Sequence, residues 1–260
     1  MRFFAFLLTA SAAFAGSVEL SQAQIDDIIQ KFASHEADFA RARESYTYRQ
    51  TARIQELDDA GNTTGKWETI SDIVFPNGKR AEKVIHAPVH SLKQINLTPE
   101  DLEDLKSVQP FVLTTNQIDK YLIRYLGHQK IDEIDCYVFA VKPKKYEGKE
   151  RYFQGEVWVD DRDLQIVKSY GRGVGSANRG SNAQQFPKFE TYREQIDGKF
   201  WFPTYTIAND TLHFKDQDVR IKQTVKYEGY QQFRADVKIT FGDAVDEKKD
   251  DKAKPPVKKP

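Results

Sequence analysis

Apolar and polar positions follow two different periods along this chain. Between residues 21 and 44, Ile25, Ile28, Ile29, Phe32 and Phe39 recur at helical steps and leave one apolar stripe on an otherwise charged segment, the pattern of an amphipathic helix. Ser21 and Gln24 stand at capping-box spacing before it, and Leu20 and Ile25 stand where a hydrophobic staple closes. A helix of this kind must lie against something apolar.

From Tyr46 the period becomes two. Thr47, Arg49, Thr51, Arg53 and Gln55 fall on one side, and Tyr46, Tyr48, Ala52 and Ile54 on the other, which predicts a half-buried strand. A second strand is expected over 67–75, a turn at Pro76-Asn77-Gly78 and a hairpin partner over 79–87. Thr98, Pro99, Glu100 and Asp101 then announce a short second helix, with Thr98 as N-cap, Pro99 in the first position and acids in the first turn, ended by Pro110. From 121 to 241 the chain reads as successive strands broken by turn signals at 132–133, 143–148, 160–163, 197–198 and 209–210. The total is about 10–12 strands, a number that curls into a barrel or a strongly bent sheet.

The two ends differ from this body. MRFFAFLLTASAAFA has one positive charge, an apolar run and small residues ending Ala13-Phe14-Ala15, the layout of a secretory signal peptide cleaved after Ala15. Residues 1–15 are therefore expected to be removed, leaving one domain over 16–243 and a charged, proline-containing tail over 244–260 that reads as disordered. No cysteine follows the cleavage site to carry a lipid, and no second apolar run has the length of a membrane span. A soluble, exported product is expected.

Composition narrows the function classes. Lys plus Arg and Asp plus Glu number 39 each, so there is no basic excess of the kind nucleic-acid binders carry. Aromatics make up 12% of the chain, which suits pleated, half-buried surfaces. The single Cys136 has no internal partner for a disulfide, and within DCYVFAV it reads as a buried packing thiol.

Candidate chemistry concentrates in 155–175, where Asp160, Asp161 and Asp163 precede Gly171, Gly173 and Gly175. The acids lack the ligand spacing of a calcium loop and read as a turn between strands. The glycines do not lead into a helix, so they read as the bent end of a strand followed by a polar loop, 171–185, and not as a dinucleotide fingerprint. The five histidines are scattered, and no G-x-S-x-G elbow occurs. The residues nominate no catalytic group, metal site or cofactor.

YLGHQKIDEIDCYVFAVKPK followed by GEVWVDDRDLQIVKSYG, with Asp197-Gly198-Lys199-Phe200-Trp201-Phe202-Pro203 further on, resembles the bacterial outer-membrane lipoprotein-sorting superfamily of LolA, LolB and RseB. The resemblance implies a mainly β, α+β fold: an incomplete, strongly bent antiparallel barrel covered by the N-terminal amphipathic helix and the second short helix. It also implies an apolar cavity for a lipid or lipoprotein acyl chain, bound without catalysis. On that basis Ile25, Ile28, Ile29, Phe32 and Phe39 are candidate lid residues, and Trp67, Phe75, Trp158 and Trp201 candidate wall residues. The family's cavity arginine has no unique counterpart here, Arg49 and Arg53 both being available on the first strand. The alternative is an envelope interaction or regulatory module whose bent sheet is a platform for a protein partner.

Overall fold

A computed structural model of the chain describes residues 20–175 and 186–232. The predicted signal peptide, residues 176–185 of the predicted loop, the end of the last predicted strand after 232 and the charged tail lie outside the described residues. Helix α1 (Gln22–Arg43) is followed by β1 (Tyr46–Leu57), β2 (Thr63–Val74) and β3 (Ala81–His86), then by α2 (Pro99–Glu103). Seven further strands complete the chain: β4 (Tyr121–Ile131), β5 (Ile134–Pro143), β6 (Arg151–Asp160), β7 (Ile166–Gly175), β8 (Phe189–Gln195), β9 (Trp201–His213) and β10 (Asp218–Gln232).

The ten strands form one antiparallel sheet in the order β3-β2-β1-β10-β9-β8-β7-β6-β5-β4. Consecutive strands pair within two meanders, β1 to β3 and β4 to β10, and β10 returns to lie against β1 and joins them. The sheet does not close: β3 and β4 are its edges. It is a bent, open α+β sheet with helices on one face. Among the described residues no helix is long and apolar enough to cross a membrane.

Local chemistry accounts for the helix starts. The Ser21 side chain accepts from Gln24 N while the Ser21 N–H donates to Gln24 Oε1 at 2.9 Å; Thr98 and Asp101 repeat the device at α2. Both helix entries thus lose the unpaired donors that a helix start leaves. β1 is buried at every second residue from Tyr46 to Glu56, the period read from its sequence.

The covered face carries the main core. Ile28, Phe32 and Ala33 of α1 pack with Phe139, Phe153, Val157, Val159, Ile166 and Phe189, and Ile25 and Ile29 pack partly buried at the margin. Phe39 meets Phe202 edge-on, with ring centroids 5.2 Å apart, beside Tyr46 and Phe200. Phe32 and Phe39 have no exposed surface, and each such burial contributes roughly 1.5–3 kcal/mol.

Two expectations about strand ends are corrected. Asn209 and Asp210 do not turn the chain: β9 runs through them, paired with Lys222 and Ile221. Asp210 instead accepts from the backbone N–H groups of Lys188 and Thr211, both at 2.9 Å, which replaces the local turn bonds its side chain would otherwise seek. Gly171 to Gly175 are likewise strand, continuing β7 opposite Gly155 to Arg151, because these glycines are needed where other groups approach the backbone. A Cβ on Gly171 would lie 2.8 Å from the Phe153 ring, and one on Gly173 would lie 2.0 Å from Asp104 Oδ2.

Candidate functional site: an apolar slot under a polar-latched cover

Between β3 and α2 the chain crosses the covered face as an irregular strap, residues 87–97, and α2 continues into a π-helical turn, Asp104–Val108. The strap is held by a buried acid. Glu56, on the apolar phase of β1, has no exposed surface, and its carboxylate accepts from the backbone N–H groups of Lys93, Gln94 and Ile95 at 2.7–3.1 Å. Gly65 permits this approach, since a Cβ there would lie 2.7 Å from the Ser91 carbonyl oxygen. Ser91 N donates to the Lys66 carbonyl at 2.8 Å and extends the contact.

The π turn has its own latch. Arg151 of β6 donates to both oxygens of Asp104, Nε to Oδ1 at 2.8 Å and Nη2 to Oδ2 at 2.6 Å, a bidentate fork. Both side chains are almost fully buried, and the Arg151 guanidinium stacks 3.8 Å from the centre of the Phe186 ring. Burial pushes the Asp104 carboxyl up to about 6 against the opposing effect of Arg151. Asp101, one helical turn earlier, is also raised by burial, opposed by its hydrogen bonds to Thr98.

A third latch joins α1, the cover and the sheet. Arg193 of β8 donates through Nη1 to both oxygens of Glu36 at 3.0 and 3.1 Å, and through Nη2 to the Phe111 carbonyl. Glu36 also accepts from Ile166 N at 3.0 Å. Burial pushes the Arg193 guanidinium below its ordinary value, and the adjacent Glu36 opposes that shift. Thr191 adds a hydroxyl bond to the Gln109 carbonyl at 2.9 Å. Residues 93–111 are thereby held to the sheet at four separated points.

Between this cover and the sheet lies a narrow apolar slot with about 40 Å³ of free volume. Ile54, Phe189, Leu212 and Ile221 form its floor, Ile95 and Leu97 its roof, and Asp101, Asp104, Gln109 and Gln223 bring polar groups to it. Gln109 Oε1 and Gln223 Nε2 are sealed from water without a hydrogen-bond partner. An apolar recess with a few convergent polar groups is the usual form of a small-ligand site. The closed volume holds only a few water molecules, so occupancy by anything larger requires the cover to move outward.

None of the sequence-nominated residues lines this slot. Ile25, Ile28, Ile29, Phe32 and Phe39 pack α1 against the sheet, Ile25 and Ile29 only partly buried. Trp67 packs against the clusters of Ile54 and Val225, adjacent to the slot, and Phe75 packs near Tyr48. Trp158 and Trp201 lie on the opposite face of the sheet with Cys136, Val138 and Val167, because Trp158 alternates with Val157 and Val159, which face α1. Arg49 and Arg53 are paired with Asp72 and Glu68 on the exposed side of β1. The latching groups Glu36, Glu56, Arg151 and Arg193 belong to no sequence motif, although each is a charge on an apolar phase: Glu36 falls one turn from both Phe32 and Phe39.

The remaining candidate chemistry has structural partners. Asp160 caps the β6–β7 turn, its Oδ1 accepting from Arg162 N at 2.7 Å and Asp163 N at 3.3 Å. Cys136 is buried, and burial pushes its thiol up to about 12. His35, His128 and His213 each contact a different group, the Asp163 carbonyl, Asp161 and Asp218. Among the described residues no three His, Cys, Asp or Glu side chains come together around a metal-sized site.

No protein-family model and no curated protein matches this sequence. Among solved structures the chain is similar to a DUF1329 family protein from Desulfovibrio piger at 13% identity, with 82% of this chain and 92% of that one covered and a TM-score of 0.38. It is also similar to a LolA superfamily protein from Nitrosomonas europaea at 14% identity, covering 80% and 93% with a TM-score of 0.34. A putative outer membrane lipoprotein-sorting protein domain from Vibrio parahaemolyticus is similar at 12% identity, covering 76% and 90% with a TM-score of 0.33.

Proposed function

We propose that this chain is an exported, non-catalytic carrier or sensor that takes a lipid or lipoprotein acyl chain into the slot beneath residues 93–111. The observation that carries the reading is the slot itself: an apolar floor from four strands under a roof that forms no strand, fastened by polar latches and by the buried side chains of Ile95, Leu105, Val108 and Phe111. Lifting this roof exchanges its apolar contacts with the sheet for contacts with the acyl chain, and each CH₂ then buried contributes about 0.8 kcal/mol. Ten methylenes give on the order of 8 kcal/mol before the costs of association and opening. The N-terminal signal-peptide pattern supports a periplasmic setting.

Mass spectrometry of an organic extract of the protein purified from a bacterial periplasm, beside an unrelated exported control, tests this directly. The expected result is a stoichiometric lipid in the parent that is lost in Leu212→Trp, a variant that fills the slot, while thermal unfolding stays cooperative. An empty parent extract together with no uptake of a fluorescent fatty acid would refute the reading.

A second reading, an envelope protein-interaction module, draws on edge strand β3, where Val84 is 55% and Ile85 47% exposed. An unpaired edge of this kind can accept a partner strand. Partner capture that survives Leu212→Trp but is lost on charging Val84 would favour it.

A further inference from the structure

On the far side of the π turn from the slot is a separate open cleft of about 520 Å³, within the size range of small-ligand pockets. Arg43, at the last turn of α1, Arg80, before β3, and Lys106, in the π turn, bring three cations to it. Tyr48 and Phe75 supply aromatic wall.

The acids available do not balance these cations. Glu82 already serves three groups: it accepts from Ser71 Oγ at 2.7 Å and Arg80 Nη1 at 3.3 Å, and Lys106 Nζ lies 4.0 Å away. Glu103, the other acid lining the cleft, is exposed. Arg43 forms no ion pair among the described residues, and its guanidinium lies 5.7 and 5.9 Å from the ring centres of Phe39 and Phe75. The nearby acid Glu36 is taken by Arg193. Arg80 is already held at both ends of its fork, Nη1 by Glu82 and Nη2 by Gln50 Oε1 at 3.0 Å, which leaves Arg43 as the guanidinium of this cleft with no acid bound to it among the described residues.

We infer that this cleft is a second binding site, one that takes an oxyanion, phosphate or carboxylate, carried on an apolar stem. The oxyanion lies between Arg43, Arg80 and Lys106, and the stem lies against Tyr48 and Phe75. The planar guanidinium of Arg43 matches such oxygens in pairs, and Arg80 and Lys106 add positive charge beside it. The site shares no ligand-facing side chain with the slot, so it stands or falls independently of acyl-chain binding.

Calorimetric titration of the full chain with phenyl phosphate, inorganic phosphate and benzyl alcohol is the test. Phenyl phosphate is expected to bind one-to-one and to weaken with added salt, whereas benzyl alcohol leaves the cleft empty. Arg43→Met should weaken phenyl phosphate about tenfold, the loss of one charge-assisted contact. Because that change also touches the Phe39 and Phe75 rings, Lys106→Met, at a side chain 43% exposed, provides a second variant, expected to weaken binding about threefold. Inorganic phosphate binding as tightly as the phenyl ester would assign the site to a free anion, and weaker binding would assign it to a stem-bearing one; both keep the oxyanion site. No phenyl phosphate binding to the parent, or equal affinity in the parent and both variants, would overturn it.

Discussion

Asp104 concentrates the physical tensions of the cover in one side chain. It is buried, paired with Arg151 and pressed against Gly173, and burial pushes its carboxyl up to about 6. An unfolded aspartate gives up its proton near pH 4. Between about pH 4 and 6 the folded chain therefore holds a proton that the unfolded chain has released, and this residue's contribution to stability falls as pH rises. Asp101, raised by burial, contributes with the same sign. Urea unfolding of the parent and Asp104→Asn across this window should show the parent losing on the order of 2–3 kcal/mol relative to the variant as pH rises, whatever the offset between them at low pH. A difference that is flat, or that runs the other way, would show that the Arg151 fork outweighs burial. The same residue explains one of the alternate glycines of β7: Gly173 leaves the room that Asp104 occupies.

Helix α1 is fastened at element scale by apolar packing and by one ion pair. Phe32 and Phe39 supply the packing, and Glu36 between them reaches Arg193, which also holds the Phe111 carbonyl of the cover. Glu36→Leu leaves a buried guanidinium without its acid, so it should cost roughly 3–5 kcal/mol in chemical denaturation. The double variant with Arg193→Met should recover much of that loss, since two apolar groups need no partner. Recovery of nothing would mean that the Phe111 bond, and not the ion pair, is what Arg193 contributes. The helix, its cap and its buried stripe were all legible in the sequence because each depends on residues within a few positions of one another. Glu36 stood in plain view in that stripe, yet its partner is 157 residues away, and no local pattern announces such a pairing.

At the scale of the whole molecule, the open sheet leaves two edges, β3 and β4. On β3, Val84 and Ile85 alternate and are both exposed, so neither face of that strand is covered there. Replacing both with lysine should leave unfolding free energy within about 0.5 kcal/mol of the parent while reducing self-association in light scattering at high concentration. Unchanged scattering would mean that this edge is not a route to association. The sequence by itself determined the periods: which segments are helix or strand, where both helices begin, and that a bent antiparallel sheet carries them, since propensity, capping and alternation act over short distances. The two misread strand ends, at Asn209-Asp210 and at Gly171 to Gly175, share one cause, for there a turn-forming or flexible residue satisfies a distant group. Only the tertiary structure decided that β10 returns to β1, that Trp158 and Trp201 lie on the face away from α1, and that the slot lies under the strap and α2. Those facts depend on register and on pairings such as Glu56 with residues 93–95 and Asp104 with Arg151, which join residues tens of positions apart and are chosen by the packing of the assembled sheet.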